Sequence, residues 1–276
     1  MNGRATVKSC CADLYASDWA RLLLGESLHP GGPALTGRLG ELMELEPGAR
    51  VLDVACGRGA SAIHLAREFG FGVVGIDYGP ANTAAARRQA RAAGLDGKVA
   101  FAAGDAERLP FAEGRFGGVI CECAFCTFPD KPAAAAELAR VLRPGGVAGL
   151  ADLVRRGPLP AGLDDLLAWI ACVADARPPE EYAAHLAAAG LRVTAIEDRD
   201  EALADLVRTV RLRLVGARVA AHLASVELPA ADLARARELG RAAEQAVAGG
   251  SLGYALIVAR KPQARSQATA ADFERE

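Results

Sequence analysis

Five short apolar runs punctuate the chain. They are Val51-Leu52-Asp53-Val54-Ala55, Gly72-Val73-Val74-Gly75-Ile76-Asp77, Val99-Ala100-Phe101-Ala102-Ala103-Gly104-Asp105-Ala106, Gly117-Gly118-Val119-Ile120-Cys121-Glu122-Cys123 and Val147-Ala148-Gly149-Leu150-Ala151-Asp152. Runs of this length, apolar without alternation and bounded by glycine or an acid, predict strands buried on both faces. Ala60 onward and residues 132–142 read as helices between them. Strands alternating with helices predict an α/β chain with a parallel sheet. Ahead of the first strand, Val7, Cys11, Leu14, Tyr15, Trp19, Leu22 and Leu23 recur at three- and four-residue steps, predicting a helix over 5–24. Leu28-His29-Pro30-Gly31-Gly32-Pro33 breaks it, and a second helix is expected around 34–45. After the fifth strand, Gly157-Pro158-Leu159-Pro160 marks a linker. Helices at 163–174 and 179–189, a sixth strand at 191–196 and a seventh at 254–259 follow. Residues 200–252 read as two further helices, 201–225 and 230–248, split at Leu228-Pro229.

The first strand turns through Gly57 and Gly59 into a helix start. Such a turn gathers backbone N–H groups and the positive end of a helix dipole around a ligand. The acid inside the strand, Asp53, suits a ligand that carries positive charge, which points to S-adenosylmethionine (SAM), with its cationic amino group and sulfonium. The loop alone does not decide. Gly57-Arg58-Gly59-Ala60-Ser61-Ala62 also fits G-x-G-x-x-A, and Asp77 follows about 20 residues on, as at an NAD site. A glycine turn that binds nothing also stays open on the loop alone.

The later segments carry more. Acids close the second and third strands at Asp77 and Asp105, and Leu142-Arg143-Pro144-Gly145-Gly146 forms a turn before the fifth. The phrases VLDVACGRG, GID, GDAERLPF and ARVLRPGG span roughly residues 45–155. Together they resemble the class I SAM-dependent methyltransferases. The resemblance implies a Rossmann-like seven-stranded sheet, with an N-terminal helical segment and a helical insertion between strands 6 and 7. It implies that Asp77 holds the ribose and Asp105 the adenine amino group. Ala55, Cys56, Gly57, Gly59, Tyr78, Gly104, Ala106 and Cys121 complete the expected cofactor wall. The N-terminal segment would lie over the cofactor, making Tyr15, His29 and Thr36 candidates. Tyr15 also reads as a core aromatic and His29 as a turn residue. A single domain over 1–262 is expected: a helical cap (1–45), a SAM-binding core (46–156) and an acceptor-side region (157–262). Within the last, 200–252 is a lid or a dimer surface, and 263–276 is a flexible tail.

Composition narrows the partners. The net charge is −2, and the arginines sit along helices with acids nearby, so no basic face argues for nucleic acid. No run of 18 apolar residues and no signal-like N-terminus stands out, and a cytoplasmic monomer or homodimer is expected. Seven cysteines in an α/β chain of 276 residues argue for reduced thiols rather than staples.

Cys121-Glu122-Cys123-Ala124-Phe125-Cys126 ends the fourth strand, where open α/β sheets bind ligands. On an extended strand Cys121 and Cys123 would share a face. Cys10-Cys11 and Cys172 supply thiols on two other segments. Packing as small hydrophobes and a zinc site from C-x-C-x-x-C are the alternatives. Val119–Ala124 with Phe128-Pro129-Asp130-Lys131-Pro132, and Ile170–Ala176 with Glu181-Tyr182, resemble arsenite methyltransferases. That resemblance implies trivalent arsenic held by Cys123 and Cys172, with Cys126, Cys121 or the Cys10–Cys11 pair completing the set. Here Asp175 stands where that pattern has glycine, no cysteine follows Leu191, and none sits just after the glycine loop. A soft metalloid needs no base. A small organic acceptor would need one, and Glu122 or His29 is the candidate. Outside methyl transfer, an NAD-dependent oxidoreductase and a non-catalytic thiol binder are the competing readings.

Overall fold

The structure is a computed structural model that describes residues 3–17, 21, 23–25, 27–160, 173, 175–223 and 230–263. Its elements are α1 (Gly3–Ala16), α2 (Gly32–Met43), β1 (Arg50–Val54), α3 (Ala60–Glu68), β2 (Gly72–Asp77), α4 (Pro80–Ala92), β3 (Val99–Ala103) and β4 (Phe116–Glu122). After a short 3-10 turn (Phe125–Thr127) come α5 (Lys131–Val141), β5 (Leu142–Arg155), α6 (Pro179–Ala188), β6 (Arg192–Asp198), α7 (Asp200–Leu223), α8 (Ala230–Ala248) and β7 (Leu252–Arg260).

The seven strands form one sheet in the order β3-β2-β1-β4-β5-β7-β6, parallel except for β7, which runs against both β5 and β6. This is the Rossmann-like sheet expected, with the helical insertion α7–α8 between strands 6 and 7. The central strands are buried along almost their whole length, which is why they read as unbroken apolar runs. β6 lies at the edge, and its residues alternate between exposed and half-buried. The order reverses between β1 and β4, so their carboxyl ends open a crevice between loops that leave in opposite directions.

Two boundaries differ from expectation. The first helix ends at Ala16, with a bend at Ser17; Trp19 and Leu22 lie outside the described residues. The expected turn at Leu142-Arg143-Pro144-Gly145-Gly146 is instead the start of β5. Leu142 pairs with Phe116 before the register shifts, and Gly145 (φ 75°) lets the strand absorb that irregularity. Lys261 fastens this corner: its Nζ donates to the carbonyls of Ala139 and Leu142, both at 2.8 Å. The helix expected at 163–174, with Cys172, lies outside the described residues, as does the tail from 264. α7 and α8 pack on each other and on β7, joined by an Arg211–Glu244 ion pair.

Candidate active site

A cavity opens at the carboxyl ends of β1, β2, β3 and β4, with the N-terminal segment across it. Most of the expected cofactor residues line it: Tyr15, His29, Asp53, Ala55, Cys56, Gly57, Asp77, Tyr78, Gly104, Asp105 and Ala106. Glu122 and Cys123 line it from β4. Three expected residues do not. Gly59 is packed away from the cavity: a Cβ there would lie 2.7 Å from Phe101 and 2.9 Å from Ala86, so glycine is required for packing. Thr36 stands behind the wall, donating to Glu122 at 3.0 and 3.2 Å. Cys121 is fully buried in the core, as is Cys126.

The thiol expectation needs a further correction. Cys123 has φ 52°, outside the extended region, so strand alternation stops before it and it does not share a face with Cys121. Burial, together with the charges of Asp152, Asp53 and Glu122, pushes the Cys121 thiol well up and keeps it protonated and inert. Cys126 donates its N–H to Asp152 at 3.0 Å and packs in the core. Cys11 lines the cavity, whereas Cys10 does not. Among the described residues no group of three His, Cys, Asp or Glu side chains is placed to hold a metal ion.

The acids of β1 and β2 are built differently. Asp77 is fixed on both oxygens: Gly57 N–H donates at 2.9 Å, Gly79 N–H at 2.8 Å and Asn82 at 3.0 Å. Burial pushes its carboxyl up and these hydrogen bonds oppose the shift. Asp53 is almost fully buried, and its Oδ2 has no hydrogen-bond partner. Burial first, then the nearby Glu122 and Asp77 charges, push it well above the usual carboxylate range. An orphaned, buried carboxylate oxygen on a cavity wall calls for a cationic or donor group.

The glycine loop is not a phosphate cradle. Cys56 N–H bonds Ile76 at 2.9 Å, Gly57 N–H bonds Asp77, and Gly59 N–H bonds Cys56 at 2.8 Å. These three amides are committed within the protein. A pyrophosphate would also face Asp53, Asp77 and Glu122. The donor set therefore fits SAM and disfavours a dinucleotide.

Sequence reasoning missed several wall residues. Ser61, on the first turn of α3, lies 3.4 Å from both His29 Nε2 and Thr36 Oγ1. Lys8 and Asn82 reach the wall through hydrogen bonds that no local pattern reveals. Leu28, Ala55 and Cys123 all have positive φ, and all line the cavity; among the described non-glycine residues only Glu44 shares that conformation. Such conformations concentrate where a site over-determines the backbone.

Residues 51–146 match a family described as a methyltransferase domain. The 27-O-demethylrifamycin SV methyltransferase of Amycolatopsis mediterranei (strain S699) is 31% identical over 270 residues, covering 91% of this chain and 94% of that protein. The chain is a class I SAM-dependent methyltransferase. Methyltransferase GfsG of Streptomyces halstedii is 34% identical over 179 residues, and the match spans 64% of each protein. The crystal structure of the [4+2]-cyclase SpnF superposes on the methyltransferase with a TM-score of 0.71 at 25% identity, over 92% of this chain and 96% of that one. The resemblance to methyltransferases thus holds, and with it SAM as the cofactor. These relatives do not single out the arsenite methyltransferases. An NAD-dependent oxidoreductase is set aside. Among the described residues no helix is long and apolar enough to cross a membrane.

Proposed function

We propose that the enzyme methylates an oxygen atom of a small organic molecule, with His29 as general base. The observation that carries this is the imidazole geometry. His29 Nδ1 lies 3.1 Å from the Pro30 carbonyl, which can only accept, so Nδ1 carries the proton of the neutral ring. Nε2 is then the basic nitrogen, on a side chain that lines the cavity. Glu122 Oε2 is 3.8 Å from Nε2, close enough to stabilise the imidazolium once a proton arrives. Thr36 holds Glu122 in place through both of its oxygens.

When bound, SAM supplies a methyl group activated by its sulfonium. Asp53 Oδ2 is suited to its amino group, Asp77 to its ribose and Asp105 to its adenine amino group. Ala55, Cys56, Gly57, Tyr78, Gly104 and Ala106 form the walls between these points. Removal of the acceptor hydroxyl proton to Nε2 raises the nucleophilicity of its oxygen, and holding the acceptor in line lowers the barrier further. The rifamycin relative and the 39% identical nocamycin O-methyltransferase of Saccharothrix syringae, over 52% of its length, are named for organic acceptors, which supports this reading. The thiols support a metalloid less well: of Cys121, Cys123 and Cys126, Cys123 alone lines the cavity. The α7–α8 insertion is a lid or a dimer surface; none of its described residues lines the cavity.

The test is incubation of the enzyme with SAM and either 27-O-demethylrifamycin SV with simpler phenols and enols, or arsenite with a thiol reductant, followed by mass spectrometry. O-methylated organic products are expected. With such a product, His29→Ala should lower kcat about 10²- to 10⁴-fold and leave SAM affinity unchanged. Methylated arsenic with no organic product would overturn the proposal.

A further inference from the structure

Lys8, Cys11, Ala12 and Tyr15 all line the cavity. Their spacing puts them on one face of α1, so this helix forms a wall of the site. α1 is joined to that site across almost a hundred residues of sequence. Lys8 Nζ donates to Asp105 Oδ1 at 2.9 Å, to Asp105 Oδ2 at 2.8 Å and to Glu107 Oε2 at 2.5 Å. The side chains of Lys8 and Glu107 are each 13% exposed and that of Asp105 is 35% exposed, so the network is shielded on its Lys8–Glu107 side and open to solvent at Asp105. Glu107 is itself anchored: its Oε1 accepts from the Asp130 N–H at 2.7 Å, at the N-cap of α5. Burial draws the Lys8 pKa down, and the hydrogen bonds and charges of Asp105 and Glu107 more than offset it, so the ammonium stays charged at neutral pH.

Asp105 has room for more than Lys8. Its Oδ1 takes Lys8 and the Glu107 N–H at 3.0 Å, while Oδ2 takes Lys8. A carboxylate offers about four acceptor positions, so one remains on Oδ2 for a donor inside the cavity. Lys8 therefore does not need to leave when the cavity fills. Cofactor exchange is a different matter, because α1 walls the cavity beside Asp105 and is tied to it.

We propose that Lys8 is a positioning residue that latches α1 over the cofactor cavity and sets how fast S-adenosylhomocysteine leaves after methyl transfer. The proposal rests on the cofactor occupying this cavity and is independent of the acceptor. Three partners hold the latch, and two of them, Lys8 and Glu107, have no part in the chemistry. Opening α1 breaks all of its ionic hydrogen bonds together.

The experiment is the release of labelled S-adenosylhomocysteine from the full-length enzyme, chased with excess SAM. Lys8→Gln should speed release about 5- to 30-fold. Glu107→Gln should speed release less, because Lys8 keeps Asp105, and the double variant should release no faster than Lys8→Gln alone. Release from the unaltered enzyme should accelerate with salt, and this dependence should vanish in Lys8→Gln. Unchanged release in a Lys8→Gln enzyme that binds S-adenosylhomocysteine would overturn the latch. So would a fall in melting temperature with no change in release, or single effects that multiply in the double variant. Failure of the unaltered enzyme and of all variants to bind S-adenosylhomocysteine would instead refute the placement of the cofactor.

Discussion

The two walls of the cavity are made in different ways. On the cofactor wall, each acid or glycine follows directly from a buried strand: Asp53 and Ala55 from β1, Asp77 and Tyr78 from β2, Gly104 and Asp105 beyond β3. On the wall proposed for the acceptor, the chemistry comes from a turn at Ser27–Pro30, the Ser61 hydroxyl and the end of β4. The cofactor wall is held by strand register, which a shift of one residue would destroy. The acceptor wall is held by side-chain hydrogen bonds such as Thr36 to Glu122. On the proposed function, a rigid wall would receive the ligand common to the family and a wall of separable parts would face the acceptor.

Within the cofactor wall the two central acids sharpen that comparison, because their partners differ. Asp53→Asn should weaken SAM binding about 100-fold by calorimetry, since it removes a buried charge suited to the ammonium (about 3 kcal/mol). The same change should raise the melting temperature of the ligand-free enzyme. Burial raises the Asp53 pKa in the folded state, so the folded protein binds this proton more tightly than the unfolded chain. Its contribution to stability is present at low pH and lost as pH rises from the ordinary carboxylate value through the folded value. Melting curves across that range should show this slope in the unaltered enzyme and a flatter one in Asp53→Asn. A lower melting temperature at neutral pH would mean that Asp53 is satisfied without a ligand.

Asp77→Ala should act in the opposite direction on stability. It leaves the Gly57 and Gly79 amides without their acceptor, costing about 2 kcal/mol or more, and weakens SAM binding about tenfold. Chemical denaturation and calorimetry on the same preparation separate the two losses. If both aspartates change stability with the same sign, the contrast between them fails.

The smallest effect is expected on the acceptor wall. Cys123→Ser keeps the size of a side chain at a backbone position already set by its neighbours. Turnover of an organic acceptor should change by less than about twofold, because a sulfur ligand is not required for oxygen methylation. A loss of activity in a folded Cys123→Ser enzyme would return the thiols to the centre of the chemistry.

The legibility of the site follows the same division. Asp53, Asp77 and Asp105 could be found from sequence because each lies in or directly after a buried strand, where apolar runs and glycine turns leave a clear pattern. The family resemblance points to Tyr15 and His29, and both line the cavity. Thr36 came from the same argument and stands one layer behind, supporting Glu122. The expected shared face of Cys121 and Cys123 fails for a specific cause. Alternation holds while a strand is extended, and φ 52° at Cys123 ends it, a local conformation that the residue names do not reveal. Lys8 leaves no local signal in the sequence, because its partners are almost a hundred residues away.

By itself the sequence determined the parallel sheet, the glycine turn at the switch point and the acids around a cationic cofactor. These follow from short-range chemistry: buried strands must be apolar, tight turns need glycine, and acids after strands occupy fixed places in the ladder. Tertiary structure decided which polar side chains meet. It joined His29, Ser61, Thr36 and Glu122 into one cluster, left Asp53 Oδ2 without a partner and withdrew Cys121 and Cys126 into the core. The physical reason is that a side-chain hydrogen bond depends on distances of about 3 Å, set by packing among segments far apart in the chain. No periodicity of the sequence encodes those distances.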